Sequence, residues 1–107
     1  MKFRREITIL LESCTQNDSA AGELYIQPAK QGGTYLTVML HGLDDLHTQS
    51  VLCIKNDTQS KRFPLPVPCQ GKVELCLWSC LEMASIVECD FSVCNMGGQT
   101  VLASKKS

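Results

Sequence analysis

The chain has 107 residues, 44% of them hydrophobic and 20% charged, with a net charge of −1. That length holds one domain with one core. The balance excludes a disordered tail, a collagen-like fibre and a polybasic arm, and no apolar run approaches the roughly 20 residues that span a bilayer.

The start, Met1-Lys2-Phe3-Arg4-Arg5-Glu6, is basic, as the opening of a secretory signal is. The apolar stretch that follows, Ile7 to Leu11, is interrupted by Thr8 and closed by Glu12. It falls short of the about 7–15 apolar residues of a signal core, and no small-residue cleavage site follows. The expectation is a chain that begins here and remains in the cytoplasm.

Period-2 alternation broken by turn residues runs through the sequence. Glu6 to Ser13 is a first predicted strand, with Ile7, Ile9 and Leu11 on one face. Cys14 to Ala21 is a polar loop, and Gly22 to Ala29 a second strand with Leu24 and Ile26 inward. Lys30-Gln31-Gly32-Gly33 is a hairpin turn, since glycine takes positive φ without steric cost. Thr34 to Leu43 alternates most clearly, with Leu36, Val38 and Leu40 inward. Gln49 to Lys55 is apolar on both faces around Val51, Leu52, Cys53 and Ile54, which predicts a central strand.

Lys61 to Val67 is extended, but Pro64 and Pro66 lack backbone donors, so it fits only an edge strand or a polyproline-like link. Lys72 to Cys80 has Val73, Leu75 and Leu77 in phase. Ser85 to Cys94 is read as a strand with Val87, Cys89, Phe91 and Val93 inward. A competing helical pattern covers Leu77 to Val87, so one short helix is allowed there. Asn95-Met96-Gly97-Gly98 turns the chain into a last strand, Gln99 to Ser104. Seven or eight short strands without helical crossovers predict an all-β fold: a single antiparallel β-sandwich over residues 1–107, Ig-like or jelly-roll-like.

Seven cysteines stand at positions 14, 53, 69, 76, 80, 89 and 94. An odd number, no export signal and apolar neighbours predict reduced thiols used as core filler. A secreted domain with three disulfides is the contrary reading, and Asn17-Asp18-Ser19 and Asn56-Asp57-Thr58 both match the glycosylation pattern. The same triplets are also turn chemistry.

Three constellations bear on chemistry. His41, Asp44, Asp45 and His47 crowd two imidazoles and two carboxylates into seven residues, enough for a divalent ion or acid–base work. Cys76, Cys80, Cys89 and Cys94 form a Cys76–Cys94 cluster for a zinc-stabilised regulator or hydrolase, but the spacing contains no C-x-x-C pair. Cys69, with Lys72 nearby, has the least apolar setting for a reactive thiol. A phosphate-binding loop and a basic footprint are both missing, so nucleic acid is not expected as a partner, nor is a membrane. The reading these leave is a non-enzymatic binding or assembly module without a cofactor. It self-associates or binds a protein through Cys76, Trp78 and Cys80, because a second apolar face must be covered.

Overall fold

The computed structural model describes residues 6–16 and 19–104. Eight strands form in chain order: β1 (Ile7–Ser13), β2 (Ala21–Pro28), β3 (Thr34–His41), β4 (Ser50–Lys55), β5 (Ser60–Leu65), β6 (Val73–Ser79), β7 (Asp90–Cys94) and β8 (Thr100–Ser104). One four-residue helix, α1 (Met83–Ile86), lies between β6 and β7. The elements follow the alternation: along β3 every second residue from Thr34 to Leu40 is buried, and the residues between them face outward.

All eight strands belong to one antiparallel sheet in the order β5-β4-β7-β8-β1-β2-β3-β6. This corrects the expected sandwich to a barrel-like sheet. The two halves, β5-β4-β7-β8 and β1-β2-β3-β6, are joined by a ladder between β1 and β8, with Leu11 opposite Ser104, Glu12 opposite Ala103 and Ser13 opposite Leu102. Strands β5 and β6 end the order and leave the barrel nearly closed. Pro64 sits in β5, as its missing donor requires of an edge strand.

Inward side chains from both halves meet in one core that includes Leu24, Ile26, Leu36, Val38, Leu52, Ile54, Phe91, Val93 and Leu102. Three connections pass between the halves, β3 to β4, β5 to β6 and β6 to β7. The first is pinned where Leu43 N–H donates to the Gly71 carbonyl at 2.9 Å and Leu43 is buried. Gly71 and Gln70 both have positive φ, so Cys69 to Lys72 closes as a tight two-residue turn.

The β6–β7 connection departs from the sequence reading. Residues 85–89 were expected to open the seventh strand, with Val87 inward. They form the end of α1 and a turn instead, and Val87 is 42% exposed. The chain must cross between the halves here, and Ile86 and Cys89 rather than Val87 anchor the crossing in the core.

The cysteines correct a second expectation. Cys14, Cys69, Cys76 and Cys80 are exposed, Cys53 and Cys94 are half-buried, and Cys89 alone is buried. Thiols therefore fill little of the core, though all seven are free, not bridged.

Candidate functional site

The outer face of β1-β2-β3-β6 concentrates exposed apolar side chains. The ladder registers place Tyr35 opposite Trp78, Thr37 opposite Cys76 and Met39 opposite Glu74. On the other side of β3, Gln27, Tyr25 and Glu23 stand opposite the same residues. Leu10 of β1 lies opposite Glu23. Trp78 is 48% exposed, Tyr35 38% and Leu10 54%, and Cys76 and Cys80 are exposed beside Trp78.

Each aromatic is held from the β2–β3 turn. Trp78 Nε1–H donates to the Gly32 carbonyl at 3.1 Å, and Gln31 Nε2 donates to the Tyr35 hydroxyl at 2.9 Å. The turn is itself tied to the end of β6. Glu82 Oε1 accepts from Gly33 N–H at 2.9 Å, and Thr34 Oγ1–H donates to the Leu81 carbonyl at 3.0 Å. Leu81 N–H completes the corner by donating to Ser79 Oγ at 3.0 Å. Glu82 precedes α1 but makes no side-chain cap to it; its carboxylate serves the turn. Trp78 thus spends its polar atom on the protein and offers its ring outward, already ordered, which lowers the entropy cost of docking on it.

The other predicted sites are not assembled. His41 ends β3 and is exposed; Asp44, Asp45 and His47 are exposed on the loop that Leu43 anchors. Asp44 turns toward Gly71, where an added Cβ would lie 2.9 Å from its carboxyl carbon. Among the described residues no three His, Cys, Asp or Glu side chains converge on a metal position, so neither the His41–His47 segment nor the Cys76–Cys94 cluster forms a donor set. Cys69 is exposed in its tight turn and is bonded there through its backbone to Lys72.

Depressions open on the surface. One, of about 720 Å³, is lined by Lys55, Asn56, Asp57, Thr58, Glu88 and Asp90. Another, of about 330 Å³, includes Leu43, Asp45, Leu46 and Asn95. A third, of about 210 Å³, lies at the His41 end of the outer face and is lined by Glu23, Met39, Leu40, His41, Lys72 and Glu74. The first has three carboxylates and one amine but neither imidazole nor thiol in its lining.

Asn56 is engaged in structure. Its Oδ1 accepts from Thr58 N–H and Gln59 N–H, and its Nδ2 donates to Cys89 Sγ at 3.7 Å. That is the turn role of the Asn56-Asp57-Thr58 triplet. Asn17 and Asp18 of the other triplet lie outside the described residues.

Sequence reasoning offered Cys76, Trp78 and Cys80 as candidate interface residues and did not include Tyr35. The strand alternation of Thr34 to Leu40 does put Tyr35 outward, but its partnership with Trp78 depends on the β3–β6 register, which no local pattern encodes.

The thiols divide by setting. Burial, then the neighbouring Cys94, pushes the Cys53 thiol above its ordinary range. Burial does the same to Cys89, against the opposing Asn56 hydrogen bond. A raised folded-state value favours the neutral thiol. Its stabilisation is therefore present at neutral pH and is lost as the pH rises through and above the ordinary thiol range. Two results are expected. Timed alkylation near neutral pH labels Cys14, Cys69, Cys76 and Cys80 first, and Cys53 and Cys89 last. Urea midpoints hold through neutral pH and fall in alkali, and the fall is smaller in Cys53→Ser.

The sequence matches no protein-family model, and no curated protein and no solved structure is significantly similar to the chain. Among the described residues, no helix is long and apolar enough to cross a membrane.

Proposed function

We propose that the protein is a non-enzymatic, cytoplasmic assembly module that associates with a second copy of itself through the outer face of β1-β2-β3-β6. The observation that carries this reading is the adjacent Tyr35–Trp78 pair, held half-exposed by hydrogen bonds to its own turn. Tryptophan and tyrosine are the residues most enriched where binding energy concentrates. Ordering them in advance has little benefit to a monomer.

Four strands at the usual spacing and rise make a face about 20 by 23 Å, a footprint of roughly 460 Å² that sets the contact below the roughly 800 Å² per partner of a standard interface and among the weak, concentration-dependent ones.

Charge supports a second copy as the occupant. All eleven Asp and Glu but only five of the ten Lys and Arg lie between residues 6 and 104. The remaining cations are Lys2, Arg4, Arg5, Lys105 and Lys106. Glu12, Glu23 and Glu74 stand on the outer face. An identical chain carries the same five further cations along with its carboxylates, Lys72 lies with Glu23 and Glu74 on the face itself, and two-fold symmetry uses one patch of mixed charge twice.

Light scattering after size exclusion at micromolar concentration tests this. A mass of at least twice 11.8 kDa is expected, reduced by high salt and converted to a single chain in Trp78→Glu with an unchanged β-sheet spectrum. A wild-type chain that elutes as a monomer contradicts it.

A further inference from the structure

The opposite half of the barrel carries a second juxtaposition of thiols that the assembly face does not use. On β4 and β7, Cys53 stands opposite Ser92 and Cys94 opposite Val51, so the two cysteines occupy a diagonal of one ladder on the outer side of the sheet. Their side chains lean together: the Cys53 S–H donates to Cys94 Sγ at 4.0 Å. We infer that Cys53 and Cys94 are a dithiol modification site, oxidised to an intramolecular disulfide by low-molecular-weight disulfides.

Three features of the surroundings bear on this. A diagonal pair begins with Cα atoms about 7–8 Å apart, slightly beyond the usual range for a disulfide, so some backbone give is required. Cys94 is the last residue of β7, and the β8 strand beside it is bulged at Val101, where the register passes from Val93–Leu102 to Cys94–Thr100; a bulge disrupts the ladder locally, so Cys94 is held less tightly than the residues before it. Arg62 of β5 stands opposite Cys53 and partly offsets, without cancelling, the burial and the Cys94 neighbour that raise that thiol, so the pair is selected by the proximity of its two sulfurs and not by a fast first attack. Both sulfurs are half-buried rather than enclosed, so a small disulfide has access to them.

The reaction is two exchanges. One thiol of the pair loses its proton to solvent, and its thiolate attacks a sulfur of the reagent RSSR. A protein–S–S–R bond forms and RS⁻ leaves to take up a proton. The second thiol then ionises and attacks the protein sulfur of that mixed disulfide, expelling the other RS⁻, which is protonated in turn. Two protein thiols are oxidised and one RSSR is reduced to two RSH. The second step is intramolecular, so its effective concentration far exceeds that of free RSH at ordinary buffer levels. Isolated exposed thiols such as Cys14 stop at the mixed disulfide.

The experiment is a titration of the full chain with oxidised and reduced glutathione, acid-quenched and read by intact mass and peptide mapping. The expected result is the joint loss of two thiols with a Cys53–Cys94 cross-linked peptide, at ratios where Cys14, Cys69, Cys76 and Cys80 carry at most glutathione. Cys53→Ser leaves Cys94 as a glutathione adduct, and Cys94→Ser leaves the same adduct on Cys53. The urea-unfolded chain loses the preference for this pair. Glutathione adducts on both cysteines without the cross-link overturn the inference, and so does an equal yield of the pair from the unfolded chain. The outcome does not depend on self-association, because a monomer would hold the same pair.

Discussion

Phe91→Ala is expected to cost about 3–5 kcal/mol, the usual range for deleting a buried aromatic ring. Phe91 is the largest fully buried side chain among the described residues, 1% exposed. It lies on β7 opposite Ile54 of β4, in the core that both halves of the barrel share. Truncation leaves a cavity lined by strands that are tied on both sides and cannot collapse freely. Against a total stability of about 5–15 kcal/mol for a domain of this size, the loss is a large fraction. Urea unfolding with an unchanged slope measures it. A loss under about 1 kcal/mol would mean that the ring does not occupy a close-packed site.

Gly33→Ala is expected to cost about 2–4 kcal/mol. Gly33 has φ +77°, a left-handed conformation that alanine adopts with strain. Its missing side chain also matters. A Cβ there would run into the Ser79 carbonyl and come within 2.9 Å of the Trp78 ring. Gly98 separates the two causes. It too has positive φ, +85°, but nothing lies within 4 Å of a Cβ built on it. Gly98→Ala should therefore cost only the backbone part, about 1 kcal/mol. Equal losses at the two positions would show that the close approach of the turn to β6 contributes nothing. Gly33→Ala should also disturb Trp78, whose indole is bonded to the adjacent Gly32, and so weaken association as well as folding.

The strands were legible because a one-sided core imposes period 2, and Leu36, Val38 and Leu40 or Val73, Leu75 and Leu77 print it plainly. The same rule applied to Leu75-Cys76-Leu77-Trp78 fixes Cys76 and Trp78 outward once the leucines are inward. An apolar run was a poor guide to burial there, and treating Cys76 as core filler ignored its phase. Ser85 to Cys89 misled for the opposite reason. Ile86 and Val87 suggested a strand where the chain needs a short helix to cross between halves of the sheet. The barrel-like closure rests on a ladder opposing Leu11 to Ser104 and Ser13 to Leu102, and strand partners so distant leave no local trace in either segment. The Tyr35–Trp78 and Cys53–Cys94 pairs were invisible for the same reason, since each is created by register between strands remote in sequence. The His41–His47 cluster failed in the other direction. Neighbours in sequence, its titratable groups are spread along a loop whose inward residue is Leu43.

Trp78 is the only tryptophan, so its emission reports directly on the face through which the chain is proposed to assemble. Fluorescence recorded across a dilution series, with iodide quenching at each concentration, follows that face from separated chains to assembled ones. Self-association through it predicts a blue shift and loss of quenching as concentration rises through the micromolar range, both absent in Tyr35→Glu. An emission maximum and a quenching constant that stay the same at every concentration would contradict it.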